Sequence, residues 1–232
     1  MNDIIEGHTY RRYDGELRHL HRIVLDMGEL IVIQISDALR AFHSPSAELI
    51  QQIKTREIDV DRMEVEADAE ISRLIARYSP VGSDLRVVIS VSKSVTDLEG
   101  IGDEAVRIAC VVDELIGIPL SKMQTPVMEE IEGLGQLAIS SISDAVGLFD
   151  LYDEKTALRV IDNHREMDGE FQSELRRLMS YIRDDSTDIN LALNMALVAK
   201  SLERITHHAQ NLAEYSIFEM EGIDLREGQY KP

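Results

Sequence analysis

Cysteine is nearly absent from this sequence: Cys110 is the only one, and tryptophan is missing altogether. A lone cysteine cannot close an internal disulfide. The opening stretch MNDIIEGHTYRRYDGEL has no uninterrupted apolar core of the kind a signal peptide needs, so a cytoplasmic chain is expected. Long hydrophobic runs are lacking too. Runs such as LIVI at 30–33 fall far below the roughly 18 residues that span a bilayer, which excludes direct membrane insertion and leaves only peripheral attachment through another protein. Positive charge is scarce, with 24 basic residues against 43 acidic ones and a formal net charge of −19. Such a surface repels phosphate backbones and anionic head groups, so direct nucleic-acid binding is excluded. No nucleophile with a paired base, no glycine-rich phosphate loop and no Walker signature is present, and the chain is not expected to be an enzyme.

Proline is sparse as well, with five in 232 residues, and no stretch alternates with period two. Apolar residues recur instead at spacings of three and four almost throughout, which predicts an all-α chain. The breaks fall at HSPSAE (43–48), YSPVGSD (78–84), IGIPLSKMQTP (116–126), DLYDEK (150–155) and RDDSTD (183–188). They leave six long helices, over about 14–42, 46–78, 84–116, 126–151, 153–182 and 188–219.

The six helices are three helices written twice. ISDALRAF at 35–42 lies over ISDAVGLF at 142–149, an offset of 107 that places Glu57 over His164 and Asp61 over Asp168. After a loop three residues shorter in the second copy, Asp84 lies over Asp188, Glu99 over Glu203 and Asp103 over His207. The expected architecture is two tandem three-helix bundles. Residues 1–118 make the first, 119–126 a linker, 127–223 the second and 224–232 a tail.

Charge sits where it should not. The third helix carries a seam of Val88, Val91, Val95, Leu98, Gly102, Ala105, Ala109 and Val112, with Glu99 and Asp103 beside it one turn apart. The second helix has Ile53, Glu57, Val60, Glu64, Ala67, Ile71 and Leu74 along its seam, and Asp61 stands one turn from Glu57. Like charges at i and i+4 destabilise a helix by a few tenths of a kcal/mol, and four gathered carboxylates cost more unless a proton or cation neutralises them. A single acidic pair on a helix is ordinarily a solvated face; two on consecutive helices, partly on the seam, point to a hard cation held by Glu57, Asp61, Glu99 and Asp103. Magnesium, calcium, manganese and iron suit those oxygens. The second copy offers His164, Asp168, Glu203 and His207, a mixed set better suited to zinc, iron or manganese, with binding expected to weaken below about pH 6 as the imidazoles protonate. His208 is expected outside that cluster, since one residue along a helix rotates the side chain by about 100°.

In order, spacing and duplication, DMGELIVIQISDAL (26–39), VDRMEVEAD (60–68), SPVGSDLRVVISVSKSVTDLEGIGDEAVRIA (79–109), LMSYIRDDS (178–186) and SLERITHHAQNLAEY (201–215) resemble the PhoU family over nearly the whole length. The family's third-helix phrase is Glu-Arg-Ile-Gly-Asp. Here Gly100 replaces the arginine of the first copy, and Thr206-His207 replaces the Gly-Asp of the second. The resemblance implies two three-helix bundles related by pseudo-twofold symmetry, with metal held at Glu57, Asp61, Glu99 and Asp103 and, in the second copy, at Asp168 and Glu203. His164 and His207 occupy motif positions with the wrong residue type. It further implies a negative regulator of phosphate uptake and of the phosphate-starvation response, with a phosphate ABC transporter ATPase subunit and a sensor histidine kinase as partners, and a homodimer. Two alternatives stay open on the residues themselves. One is a metal-free helical scaffold whose acidic face docks a basic partner. The other is a ferritin-like di-iron enzyme, against which stands the fact that Glu16 to His19 is the only Glu-x-x-His and has no repeat partner.

Overall fold

The computed structural model describes residues 11–116, 125–183 and 189–225. They form six helices: α1 (Arg11–His43), α2 (Ala47–Tyr78), α3 (Ser83–Leu115), α4 (Thr125–Gly147), α5 (Glu154–Arg183) and α6 (Ile189–Glu221). No strand occurs among the described residues. Most of the linker expected at 119–126 and of the tail at 224–232 lies outside them, as does Asp188.

Local chemistry sets the helix ends. Ser46 caps α2, its hydroxyl accepting from the Leu49 amide at 3.4 Å. Ser79 closes that helix in the left-handed region (φ 47°), and Pro80, lacking an amide hydrogen, follows it. Asp153 caps α5 by accepting from the Thr156 amide at 2.8 Å. One boundary departs from the sequence expectation: α4 ends at Gly147, four residues before 151. Beyond it the chain tightens into a turn in which Phe149 and Asp150 donate to carbonyls three residues back, at 3.1 Å each. The tighter winding lets the consecutive side chains of Leu148 and Phe149 both bury.

Helices α1–α3 make one bundle and α4–α6 the other. The outer helices α2 and α5 pack on their own bundles, while α1 meets α4 and α3 meets α6, the α3–α6 contact being the most extensive in the molecule. All sixteen seam positions, eight on α3 from Val88 to Val112 and their eight counterparts on α6 from Ala192 to Ser216, are buried. Each fully buried Leu, Ile or Val among them stabilises by roughly 1.5–3 kcal/mol.

The α1–α4 crossing shows the duplication in atomic detail. Gly28 of α1 lies so close to α4 that a Cβ there would stand 2.5 Å from Val146 Cγ1, and a Cβ on Gly135 of α4 would stand 2.6 Å from Leu39 Cδ1 of α1. Gly28 and Gly135 are one repeat apart, as are Leu39 and Val146. One knob-and-notch contact is thus made twice, in opposite directions.

Candidate metal centre

In the first bundle Glu57 reaches from α2 across the face of α3. Its carboxylate occupies the volume that a side chain at Gly102 would fill: a Cβ there would lie 2.6 Å from Oε2 and 2.9 Å from Oε1. The small residue at 102 therefore makes room for a carboxylate. Gln34 of α1, fully buried, supports it, donating from Nε2 to Glu57 Oε2 and, at 3.5 Å, to the Gly102 carbonyl. Glu57 Oε1 is buried with no hydrogen-bond partner. Burial is the main reason the Glu57 carboxyl is pushed up to about 7; the Gln34 hydrogen bond works against the rise, and Asp61, Asp103 and Glu99 reinforce it.

Around Glu57 stand four more carboxylates. Glu99 is half-buried, and its carboxyl is raised by burial, then by Glu64, Asp103 and Asp61. Glu64 accepts from Thr96 Oγ1 at 3.3 Å, while Asp61 and Asp103 are exposed at the rim. Two neighbouring arginines make their shorter ion pairs with other carboxylates. Arg56, next to Glu57 in the chain, pairs with Asp37 at 3.0 Å, and Arg107 pairs with Glu104 at 3.0 Å and reaches Asp103 only at 3.9 Å.

The second bundle repeats the frame and reverses the chemistry. Where Gly102 leaves a gap, Thr206 fills it, and His164, in the place of Glu57, approaches Thr206 Oγ1 with Nδ1 at 3.3 Å. Glu203, buried in the place of Glu99, is ion-paired with Lys200, which stands where the first bundle has Thr96. Phe171 replaces Glu64, and Lys200 Nζ lies 5.1 Å from the centre of its ring. His207 is exposed with its ring 5.1 Å from that of His164, and Asp168 is exposed. The His164 imidazole is held below its ordinary value by burial, then by His207; Glu203 and Asp168 oppose that effect.

Among the described residues no group of three or more His, Cys, Asp or Glu side chains is disposed as a closed set of metal ligands. The two halves nevertheless differ in fitness for one. In the first bundle an all-oxygen set surrounds a buried carboxylate oxygen with no partner, and its one ion pair is the exposed Arg107–Asp103 contact at 3.9 Å, which suits a hard ion. In the second, Lys200 already neutralises Glu203, and Thr206 engages Nδ1 of His164 alone, so the one buried carboxylate of that set is committed to an internal cation.

The two bundles meet beside the acidic group. His208, directed out of the second cluster as its rotation predicts, crosses to α3, where its Nδ1 lies 2.6 Å from Asp97 Oδ1 and its ring covers Gly100, whose Cβ would lie 2.9 Å from Cε1. Burial alone would raise the Asp97 carboxyl. Hydrogen bonds from His208, Asn211 and Tyr215 outweigh that and hold it below the usual range. Under the repeat, Gly100 matches Arg204 and His208 matches Glu104, and Arg204 pairs with buried Glu104 at 2.9 Å. Gly100 is therefore explained: the position that would face an arginine there is itself His208.

The family model for the PhoU domain matches residues 24–112 and 131–216, one match in each bundle. The chain belongs to the PhoU family. It is 34% identical, over 97% of its length and 91% of the relative's, to the phosphate-specific transport system accessory protein PhoU homolog of Pseudomonas aeruginosa. It is 31% identical, over 96% of its length and 90% of the relative's, to the phosphate-specific transport system accessory protein PhoU of Edwardsiella tarda. The crystal structure of PhoU from Pseudomonas aeruginosa superposes with a TM-score of 0.84 at 34% identity, covering 91% of this chain and all of that one.

Within the PhoU frame, Gln34, Glu64, Asp97 and His208 are the site residues that sequence reasoning left out of its candidate set. Gln34 had a readable signal, a single amide inside the apolar run LIVIQI. Asp97 and His208 had none, because their pairing belongs to the packing of one bundle on the other. Of the predicted residues, Glu57, Asp61, Glu99 and Asp103 come within electrostatic reach of one another, as do His164, Asp168, Glu203 and His207. No helix among the described residues is long and apolar enough to cross a membrane.

Proposed function

We propose that this chain is the accessory regulator of a phosphate-specific transport system, restraining phosphate uptake and the phosphate-starvation response. In this reading it is cytoplasmic, acts at the inner face of the membrane, and links the ATPase subunit of a phosphate ABC transporter to a sensor histidine kinase, working as a homodimer. The observation that carries the reading is the extent of the likeness: relatives named as accessory proteins of phosphate-specific transport align over both bundles, across 96% and 97% of the chain. The acidic surface suits electrostatic steering toward basic patches on such partners. Deleting the gene should switch on a phosphate-starvation promoter in phosphate-rich medium, and only while the kinase is present. A reporter that stays repressed in the deletion strain would overturn the assignment.

The same proposal includes a hard cation in the first bundle, held by Glu57, Asp61, Glu99 and Asp103, with magnesium, manganese and iron the fitting ions. Its support is the buried, partnerless Glu57 oxygen amid carboxylates of which only Asp103, at the exposed rim, has an arginine within 4 Å, Arg107 at 3.9 Å. Such an ion supplies positive charge between α2 and α3. Glu99→Gln with Asp103→Asn should cut bound metal sharply by elemental analysis while circular dichroism stays helical; unchanged metal content would refute the site. For the second bundle the Lys200–Glu203 pair favours a metal-free reading over zinc, iron or manganese at His164, Asp168, Glu203 and His207. Mutating both histidines distinguishes the two, since metal stoichiometry and its pH dependence should then stay as in the wild type.

A further inference from the structure

Gln34 is a fully buried amide among apolar neighbours. Ile31, Ile35 and Ala38 of the same helix have no exposure, and neither has Gln34. Its Oε1 is buried with no hydrogen-bond partner, which costs stability that a methionine or leucine at this position would not. The contribution of the amide therefore lies at its other end. There Nε2 donates to Glu57 Oε2 on α2 and, at 3.5 Å, to the Gly102 carbonyl on α3. Turning the amide over would set Oε1 against that carbonyl, so the network fixes its orientation.

The two oxygens of Glu57 are thereby made unequal. Oε2 takes the amide hydrogen and is the one pressed harder against α3, 2.6 Å from where a Gly102 Cβ would stand, compared with 2.9 Å for Oε1. Oε1 has no partner. The second copy keeps these positions and not the contact. Ser141, fully buried, stands where Gln34 does, and its hydroxyl accepts from Asn163 Nδ2 at 3.1 Å while His164 meets Thr206. Amide and carboxylate thus occur together in the bundle whose residues suit a hard ion, and are replaced together in the other.

We infer, on the reading that the first bundle holds a hard cation, that Gln34 is the positioning residue that makes Glu57 a one-oxygen ligand and so sets a preference for manganese over calcium. Hydrogen bonds from outside the ligand set orient ligating carboxylates in this way. Calcium takes about six to eight oxygens at longer range and fills its shell readily with carboxylates that give both of theirs. Smaller ions of octahedral habit, manganese and magnesium among them, accept a carboxylate through a single oxygen. A glutamate whose second oxygen is held by an amide suits the smaller ion.

Equilibrium dialysis of the full-length protein against manganese or calcium, each alone, tests this, with bound metal read by elemental analysis. The wild type should hold manganese at least about tenfold more tightly than calcium. Gln34→Met keeps the length of the side chain and removes the donor; it should weaken manganese by about 10–100-fold and calcium by less than about threefold, so that the preference collapses. Circular dichroism of the metal-free variant checks its fold, and Gln34→Leu takes its place if methionine is not accepted. A merely structural role would weaken both ions by one factor, and that result overturns the inference, as does manganese binding unchanged in the variant or a wild type that prefers calcium. Manganese lost in Glu99→Gln with Asp103→Asn but kept in Gln34→Met overturns the role of Gln34 alone. A wild type that binds neither ion overturns the cation site and this role with it.

Discussion

The first bundle gathers negative charge and leaves it unanswered; the second, on the same helical frame, answers it internally. Beside the loss of two acids, Glu64 to Phe171 and Asp103 to His207, three substitutions between the repeats carry the difference. Gly102 becomes Thr206, Glu57 becomes His164, and Thr96 becomes Lys200. The first two are sterically linked, since a carboxylate needs the hollow that glycine leaves and an imidazole meets the hydroxyl that fills it. The third brings an ammonium to the one buried carboxylate the second cluster keeps, Glu203. Duplication conserved the scaffold, and the chemistry diverged in mutually compatible steps.

The largest expected effect comes from forcing one half's filler into the other. Gly102→Thr pushes side-chain atoms into the Glu57 carboxylate and should destabilise by about 1–3 kcal/mol, read as a fall in the urea midpoint. Adding Glu57→His should restore much of the loss, because the pair then reproduces the second bundle. A double variant whose cost equals the sum of the two single costs would show that the sites are not sterically coupled.

A smaller effect concerns pH, and the halves should respond with opposite sign. The folded state raises the Glu57 carboxyl from 4.5 to about 7, so its stabilising share is complete below the ordinary glutamate value and is lost as pH rises toward 7. The folded state lowers His164 below 6.5, so its share is complete above that value and is lost as pH falls through it. In metal-free protein Glu57→Gln should flatten the decline of Tm between pH 5 and 8. His164→Gln should flatten the decline on the acid side of pH 6.5. The histidine variant should give the weaker change, since Glu203 and Asp168 partly offset the forces that depress its pKa. Saturating manganese should abolish the alkaline decline of the wild type and leave the acid one in place; a decline indifferent to manganese would separate Glu57 from any bound ion.

Periodicity made the six helices, the buried seams of α3 and α6 and the inward-facing Glu57 and Glu64 legible, because a seam residue's face is fixed by its own helix. Partnership was not legible. Asp97 reads as one more acid on a helix until α6 lays His208, Asn211 and Tyr215 against it. His21 and Glu219, whose Nε2 and Oε1 come within 2.9 Å, lie 198 positions apart in the sequence, and nothing in either local pattern signals their meeting. The premature end of α4 was hidden for another reason: residues 148–151 keep a helix-like apolar pattern while hydrogen-bonding three residues back at Phe149 and Asp150.

The reciprocal glycine contacts of α1 and α4 carry one consequence for how such a chain can grow. Gly28 receives Val146 and Gly135 receives Leu39, so each bundle spends its notch and its knob on the other, as the two faces of an isologous dimer do. A head-to-tail stack would leave one of each free at its ends and could accept a third unit, as solenoid repeats do. Here nothing is left over, and a further tandem copy of the bundle would find no vacant face of this kind to dock on. Such an array closes at two.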